Sequence, residues 1–311
     1  MLGSVEEITY RYVRWLMIVL PAFLLAVVVA TAAYKRGFET SISAYYGGPV
    51  RDVLVGTLVA TAACLIAYQG VGLLEDYALN GAGFYAVFVA LVPTGFSEIM
   101  EDLRNTPSPD DMTAAEYGFF LRIALTGVVL LGLGLLAREV RSGSLGQLIT
   151  ANVDKRSKIL TRIFVAATAV VLAWFVVMAM VQLWSGPSDQ IRMQGFTIRG
   201  FTFSIHLIAA VMLICSLCVV VSTNTWPFFQ LDFSKWNSKP VKYLAILLLM
   251  VPGALVPVLI SHLWAPEHLV ILLECWELAL FILYWLLENN SLGDGGVSPD
   301  LKGPLVEPKK I

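Results

Sequence analysis

Charged residues are scarce in this chain. Asp, Glu, Lys and Arg make up 14% of its 311 residues, while 58% are hydrophobic and the mean hydropathy is +0.75. An ordinary soluble domain is about one quarter charged, so this composition excludes a soluble enzyme. Basic residues are not in excess either, because the formal net charge is −2. The sequence therefore predicts no nucleic-acid partner.

Motifs for nucleotide, covalent and metal chemistry are also missing. The Walker, G-x-G-x-x-G and G-x-S-x-G patterns do not occur, which argues against nucleotide use and a serine nucleophile elbow. The four cysteines lie inside apolar runs, where a thiol packs as a small hydrophobic side chain. The three histidines, His206, His262 and His268, lack a local ligand spacing such as H-x-x-x-H. We therefore expect no metal site and no cofactor.

Long apolar runs are what the chain does contain. Runs of about twenty residues match the length that an α-helix needs to cross a bilayer, and they predict an all-α, polytopic transmembrane bundle of about eight spans. The predicted spans are 13–34, 50–69, 79–96, 115–137, 160–184, 201–222, 241–264 and 267–288. We expect one transmembrane domain over 1–290 and a disordered tail over 291–311. Pro252 and Pro257 should bend the seventh span.

The distribution of Lys and Arg predicts the orientation. Eight spans put both termini on one side, and the loops on that side hold 14 of the 21 basic residues, against 6 on the other side. The side richer in Lys and Arg is normally cytoplasmic. The sequence thus predicts a multi-pass plasma-membrane protein with cytoplasmic N- and C-termini.

Ionisable residues within the spans give the best indication of a site, because they are costly in lipid and normally face the bundle interior. Glu267, Glu274 and Glu277 share one face of the last span, and Tyr284 and Glu288 continue that face inward. A carboxylate at this depth needs a partner or takes up a proton. By depth, the nearest partners for Glu274 and Glu277 are Arg122 and His206. The alternative is a set of structural ion pairs that fix helix packing.

The segment 39–49 lies outside in this topology, above the polar residues. Its hydroxyl groups, two tyrosines and Gly-Gly-Pro turn could form a lid over a cavity, or an interfacial aromatic belt with a tight turn. Together these residues predict an outward-facing polar pocket. The candidate ligand-binding residues are Ser43, Tyr46, Arg51, Asp52, Arg122, His206, Glu274 and Glu277.

Short segments in most of the spans carry a resemblance to known proteins. They are SISAYY at 41–46 with PVRDVLVG at 49–56, NGAG at 80–83 with VALVPT at 89–94, IHLIAA at 205–210, and ELALF at 277–281 with WL at 285–286. In these segments the chain resembles a group of bacterial multi-pass membrane proteins, which is distantly similar to DRAM-type and GPI-lipid-remodelling membrane proteins. The resemblance implies a bacterial inner membrane, an extracytoplasmic serine-containing turn and a histidine-containing helix.

Three functions remain open at this point. The first is the handling of a lipid headgroup or another amphipathic small molecule, with Arg51 or Arg122 holding an anionic group while His206 and a carboxylate move protons. The second is a carrier or channel whose carboxylates bind a proton or cation in transit. The third is a non-catalytic membrane scaffold. The expected partners are membrane lipids and a small solute or ion.

Overall fold

A computed structural model of the protein describes residues 5–45, 49–70, 72–105, 112–143, 146–147, 155–225 and 239–293. Helices account for most of them. The helices are α1 (Val5–Lys35), α2 (Pro49–Ala67), α3 (Leu73–Leu91), α4 (Phe96–Asn105), α5 (Ala114–Ser142), α6 (Lys155–Trp184), α7 (Ile205–Thr225), α8 (Lys239–Met250), α9 (Leu255–Trp264) and α10 (Leu269–Gly293). A short antiparallel hairpin of β1 (Phe196–Ile198) and β2 (Phe201–Phe203) precedes α7. The predicted tail lies almost wholly outside the described residues.

The predicted all-α polytopic bundle is confirmed. Among the described residues, seven helical segments are long and apolar enough to cross a membrane, and α8 with α9 forms a bent pair that makes an eighth crossing if it is one span. The protein is therefore a multi-pass membrane protein. The start of α5 is fixed by a complete capping box, which Thr113 and Glu116 form.

The bend in the seventh predicted span is confirmed and has a clear cause. The axes of α8 and α9 differ by 41° across Val251. Pro252 has no N–H to donate to the carbonyl of Leu248, so the α-helical pattern stops there. Pro257 instead lies in the first turn of α9, where its missing N–H costs little.

Contacts with α10 show that α8 and α9 together run the length of the bundle. Tyr243, near the start of α8, donates a hydrogen bond to Glu288 near the end of α10. At the bend, the indole Nε1 of Trp276 donates to the carbonyl of Leu249 at 3.0 Å. Residue 264 ends α9 only five positions before α10 begins. This geometry is that of one broken span.

Two surface elements replace parts of the predicted spans. The third predicted span was expected to reach residue 96, but α3 ends at Leu91 and a separate helix, α4, begins at Phe96. Phe96 and Met100 of α4 are buried while its acidic residues are exposed, as in a helix lying along a membrane surface. The sixth predicted span was expected from residue 201. The left-handed conformations of Arg199 and Gly200 instead form a hairpin turn there.

We call the two ends of the bundle the near end and the far end. The near end holds the first and last described residues, Val5 and Gly293. The far end holds the segment 36–45, which is fastened to the start of α10. His268 Nε2 donates to the carbonyl of Phe38, and the backbone N–H of Ile271 donates to the carbonyl of Thr40, both at 3.0 Å.

Packing centres on α3 and α7, which make the most extensive contact of any helix pair. On one side lie α1, α2, α8 and α10, and on the other lie α5 and α6. Gly83 lets α3 approach α2 closely, because a Cβ there would lie 2.6 Å from Ile66 Cγ1 and 2.8 Å from the Ala62 carbonyl oxygen. Small residues at such crossings are typical of helix packing in membranes.

Candidate functional site

The far-end segment is folded into the bundle. Ser41, Ser43 and Tyr45 are each no more than 3% exposed. The backbone N–H of Ile42 donates to Glu274 Oε2 at 2.6 Å, which ties the segment to the last helix. Tyr45 is therefore packed within the bundle, against residues of α1, α2 and α10.

Ser43 and His206 both contact the break that follows α3. Ser43 Oγ donates to Thr94 Oγ1 at 2.6 Å. His206, only 5% exposed, has its Nδ1 at 2.6 Å from the carbonyl oxygen of Val92. Carbonyls at a helix end lack an intrahelical partner, and here a side chain supplies one. The structure thus brings Ser43, His206 and Glu274 to the same end of the bundle.

Glu277 lies one helical turn deeper than Glu274. The two residues are three positions apart, which corresponds to about 4.5 Å along the axis of α10, and Glu277 is the one closer to the near end. Glu277 Oε2 is buried and has no hydrogen-bond partner among the described residues. Glu277 thus places a buried carboxyl oxygen in the middle of a membrane-spanning helix.

Arg122 has different neighbours from those expected. Its Nε donates to the carbonyl of Leu183 at 2.8 Å, and its Nη2 donates to the carbonyl of Gly186. The guanidinium also lies over the ring of Trp184, 5.1 Å from the centroid. Arg122 therefore satisfies carbonyls at the C-terminal end of α6, where a cation also interacts favourably with the helix dipole.

The remaining candidate residues either lie at the start of α2 or fall outside the residues that the structure describes. Arg51 is half-buried, with its guanidinium carbon 5.7 Å from the ring centroid of Tyr117. Asp52 is exposed. Tyr46 falls outside the described residues. Among the described candidates, hydrogen bonds join Ser43, His206 and Glu274 to the far end and Arg122 to the end of α6.

A second polar cluster lies at the near end. Glu75, which is 3% exposed, accepts a hydrogen bond from Asn224 Nδ2 at 3.2 Å and lies 3.4 Å from the hydroxyl of Tyr284. Asn224 also donates to the Tyr284 hydroxyl at 2.9 Å. Glu288, 7% exposed, accepts from the hydroxyl of Tyr243. Side chains from α3, α7, α8 and α10 converge here.

An aromatic row borders this near-end cluster. The guanidinium of Arg14 lies over the ring of Tyr10 at 4.6 Å. Tyr10 stacks on Tyr68 at 4.8 Å, and Tyr68 meets Trp285 edge-on at 4.9 Å. Arg14 is 7% exposed and Trp285 is fully buried. The row thus runs from a buried cation on α1 to a buried indole on α10.

Sequence reasoning found only part of the near-end cluster. Tyr284 and Glu288 were recognised as the continuation of the acidic face of the last span. In the sequence, Arg14 contributes only to the count of basic residues that predicts orientation, and no role is predicted for Glu75. The useful signal was the position of Glu75 at the start of a span that is otherwise strongly apolar.

Metal ligation gains no support from the described part of the chain, where no group of three or more His, Cys, Asp or Glu side chains is placed to hold an ion. Comparisons with known protein families, with curated proteins and with solved structures found no match.

Proposed function

We propose that the protein translocates protons across the membrane, as a carrier or channel in which Glu277 takes up and releases the proton. The observation that carries the proposal is the buried Oε2 of Glu277, which has no hydrogen-bond partner among the described residues. An ionised carboxylate without a partner is costly in a low-dielectric interior, whereas its protonated form is neutral. A group that changes charge in this position suits proton transfer.

The broken span supports this proposal. Trp276, the residue before Glu277, donates to the carbonyl of Leu249 at the end of α8, so Glu277 and the break share one depth. Carriers commonly use helices that are interrupted near the middle of the membrane, where freed backbone groups lie beside the transported ion. The break thus allows α8 and α9 to change their relative orientation beside Glu277.

The acidic face of α10 offers a route to Glu277 from the far end. Glu274 is one turn away, and its carboxylate contacts the segment 36–45 through Ile42. Protonation of Glu274 would weaken its hydrogen bond from the Ile42 N–H, because an ionised carboxylate accepts a stronger hydrogen bond than a neutral carboxylic acid does. The binding of a proton to Glu274 would therefore loosen the attachment of the segment 36–45 to α10.

The lipid-headgroup alternative receives less support. It requires Arg51 or Arg122 to hold an anionic group, and Arg122 already donates to two carbonyls at the end of α6. Arg51 packs against Tyr117. Lipids remain the proposed surroundings of the protein, and the proton remains the proposed cargo.

A flux measurement tests the proposal. The purified protein is placed in liposomes with an imposed pH gradient, with valinomycin and potassium to prevent charge build-up. We expect the gradient to decay faster than in empty liposomes. Glu277→Gln should return the decay to the empty-liposome rate. It should remain folded, within about 0.5 kcal/mol of wild type, because Gln resembles the neutral acid in size and shape.

Glu267→Gln is the matched control, because Glu267 lies in the turn just before α10 and its side chain is 60% exposed at the far end. That variant should keep the wild-type flux. Wild-type protein that conducts no faster than empty liposomes would contradict the proposal. So would a Glu277→Gln variant with undiminished flux, which would show that the proton path does not depend on Glu277.

We further propose that the protein lies in a bacterial inner membrane with both termini in the cytoplasm, which is supported by the distribution of Lys and Arg. In a variant without the native cysteines, a cysteine at Gly48 should react with a membrane-impermeant thiol reagent added to intact cells. A cysteine at Ser144 should not react. Reversed labelling would overturn this orientation.

A further inference from the structure

The segment 36–45 is fastened to the start of α10 at regular intervals, and we call it the strap. Hydrogen bonds join its alternate positions 38, 40 and 42 to positions 268, 271 and 274, which are three residues apart. The first two bonds end on carbonyls of the strap, while the third runs from the N–H of Ile42 to Glu274 Oε2. Residues three apart share a helix face, so the strap follows one face of α10.

Glu277 is the next position of this series, and the strap turns away before reaching it. Two residues beyond Ile42, the N–H of Ala44 donates to Ser41 Oγ at 2.9 Å, within the strap itself. Residues Ser43–Tyr45 then form a turn of 3₁₀ helix. Glu274 is thus the deepest of the three fastenings, and Glu277 lies one helical turn behind it.

The strap is packed into the far end of the bundle. Ser41, Ile42 and Tyr45 are each no more than 5% exposed, and Ile42 and Tyr45 belong to an apolar cluster with residues of α1, α2 and α10. The hydrogen bond from Ser43 to Thr94 adds a connection to the end of α3. This packing shields the acidic face of α10 from water at the far end.

Of the three fastenings, the one at Glu274 depends most on a proton. A neutral carboxylic acid accepts a weaker hydrogen bond than a carboxylate does, whereas a proton added to His268 leaves its Nε2 donor in place. Glu274 is only half-buried, so a proton can reach it. Charged and titratable groups on the strap and on the elements packed against it are Lys35, Glu39, Arg51, Asp52, Glu267 and His268. Lys35 and Glu39 pair with each other at 2.9 Å.

We propose that the strap is a gate controlled by Glu274, closed while Glu274 is ionised and open toward Glu277 when Glu274 binds a proton. Transfer of that proton from Glu274 to an ionised Glu277 restores the carboxylate that accepts from Ile42. The gate then closes over the protonated Glu277. The role of the gate in transport rests on the proposed function, whereas its opening is measured without transport.

The reactivity of a buried thiol in the strap tests the gate. In a variant without the native cysteines, Ser41→Cys places a thiol where the native side chain is 1% exposed, and Thr40→Cys places one at an exposed position. Adding Glu274→Gln should make the Ser41→Cys thiol react about tenfold faster with a maleimide, because hydrogen bonds to charged acceptors are stronger by roughly that factor. The rate for Thr40→Cys should not change.

Two controls make this experiment decisive. Glu267→Gln removes an exposed charge just before α10 and should leave the Ser41→Cys rate unchanged. Cys64, which is 8% exposed in α2, is retained as the only thiol in a second variant and should stay unreactive when Glu274→Gln is added. An unchanged Ser41→Cys rate would overturn the proposal. So would an equal rise at Cys64, which would show a general loosening of the bundle.

A locked strap tests the connection with transport. Phe38→Cys and His268→Cys, linked across the first fastening by a short bifunctional methanethiosulfonate, should lose proton flux, and dithiothreitol should restore it. Phe38→Cys alone, treated in the same way, should keep its flux. Undiminished flux in the linked protein would overturn the gate but not the role of Glu277. Wild-type protein without flux would contradict the proposed function, while the tenfold change in thiol reactivity would still support control of the strap by Glu274.

Discussion

Replacing Gly118 by Ala should destabilise the protein by about 3 kcal/mol or more. A Cβ at this position of α5 would lie 1.9 Å from the carbonyl oxygen of Ser188 and 3.1 Å from Ile191 Cδ1. The carbonyl is backbone, and the segment around it is held by a hydrogen bond from Gln190 N to Pro187 O and by Arg122 at Gly186. The clash therefore cannot be relieved by a side-chain rotation.

Thermal unfolding in detergent measures this effect, with Gly127→Ala as the matched control. Gly127 lies on the same helix, and a Cβ there would meet nothing within 4 Å. The control should be as stable as wild type. Equal stability of the two variants would show that the contact between α5 and the segment 188–190 is absent.

Replacing Arg122 by Leu should lower stability by about 2 kcal/mol, because two carbonyls at the end of α6 lose a charged donor. Proton flux per folded molecule should be unchanged. Unfolding temperature and liposome flux, measured on the same preparation, check both expectations. Arg104→Leu is the control, since among the described residues Arg104 Nε donates to the carbonyl of Met100 within its own helix.

An Arg122→Leu variant with wild-type stability and no flux would place Arg122 in the transport site after all. That outcome would restore the interpretation that the sequence first suggests. It would also require the guanidinium to leave the carbonyls of Leu183 and Gly186.

The spans were predictable because apolar length is a direct consequence of crossing a bilayer. The bend at Pro252 was predictable for an equally local reason, a missing N–H. The early end of α3 and the hairpin before α7 were not predicted. Both stretches adjoin the apolar runs of the neighbouring spans, and the left-handed backbone at Arg199 and Gly200 forms the hairpin turn.

The candidate site was partly predictable. Helical spacing alone places Glu274 and Glu277 on one face of α10. The partner of Arg122 was not predictable, since its acceptors are backbone carbonyls, which every residue has. Glu75 and Arg14 were overlooked because a charged residue near a span end is usually solvated. Only the packing of several helices around them reveals that they are buried.

The central claim is that Glu277 carries a proton within the membrane, and chemical modification of that residue tests it most directly. An apolar carbodiimide reacts from the lipid phase with protonated carboxylic acids, and mass spectrometry locates the modified residue. The account predicts that Glu277 is modified faster in acidic than in alkaline buffer, and faster than the exposed Glu267. No modification of Glu277 in the folded protein, or a rate no higher than that of Glu267, would contradict it.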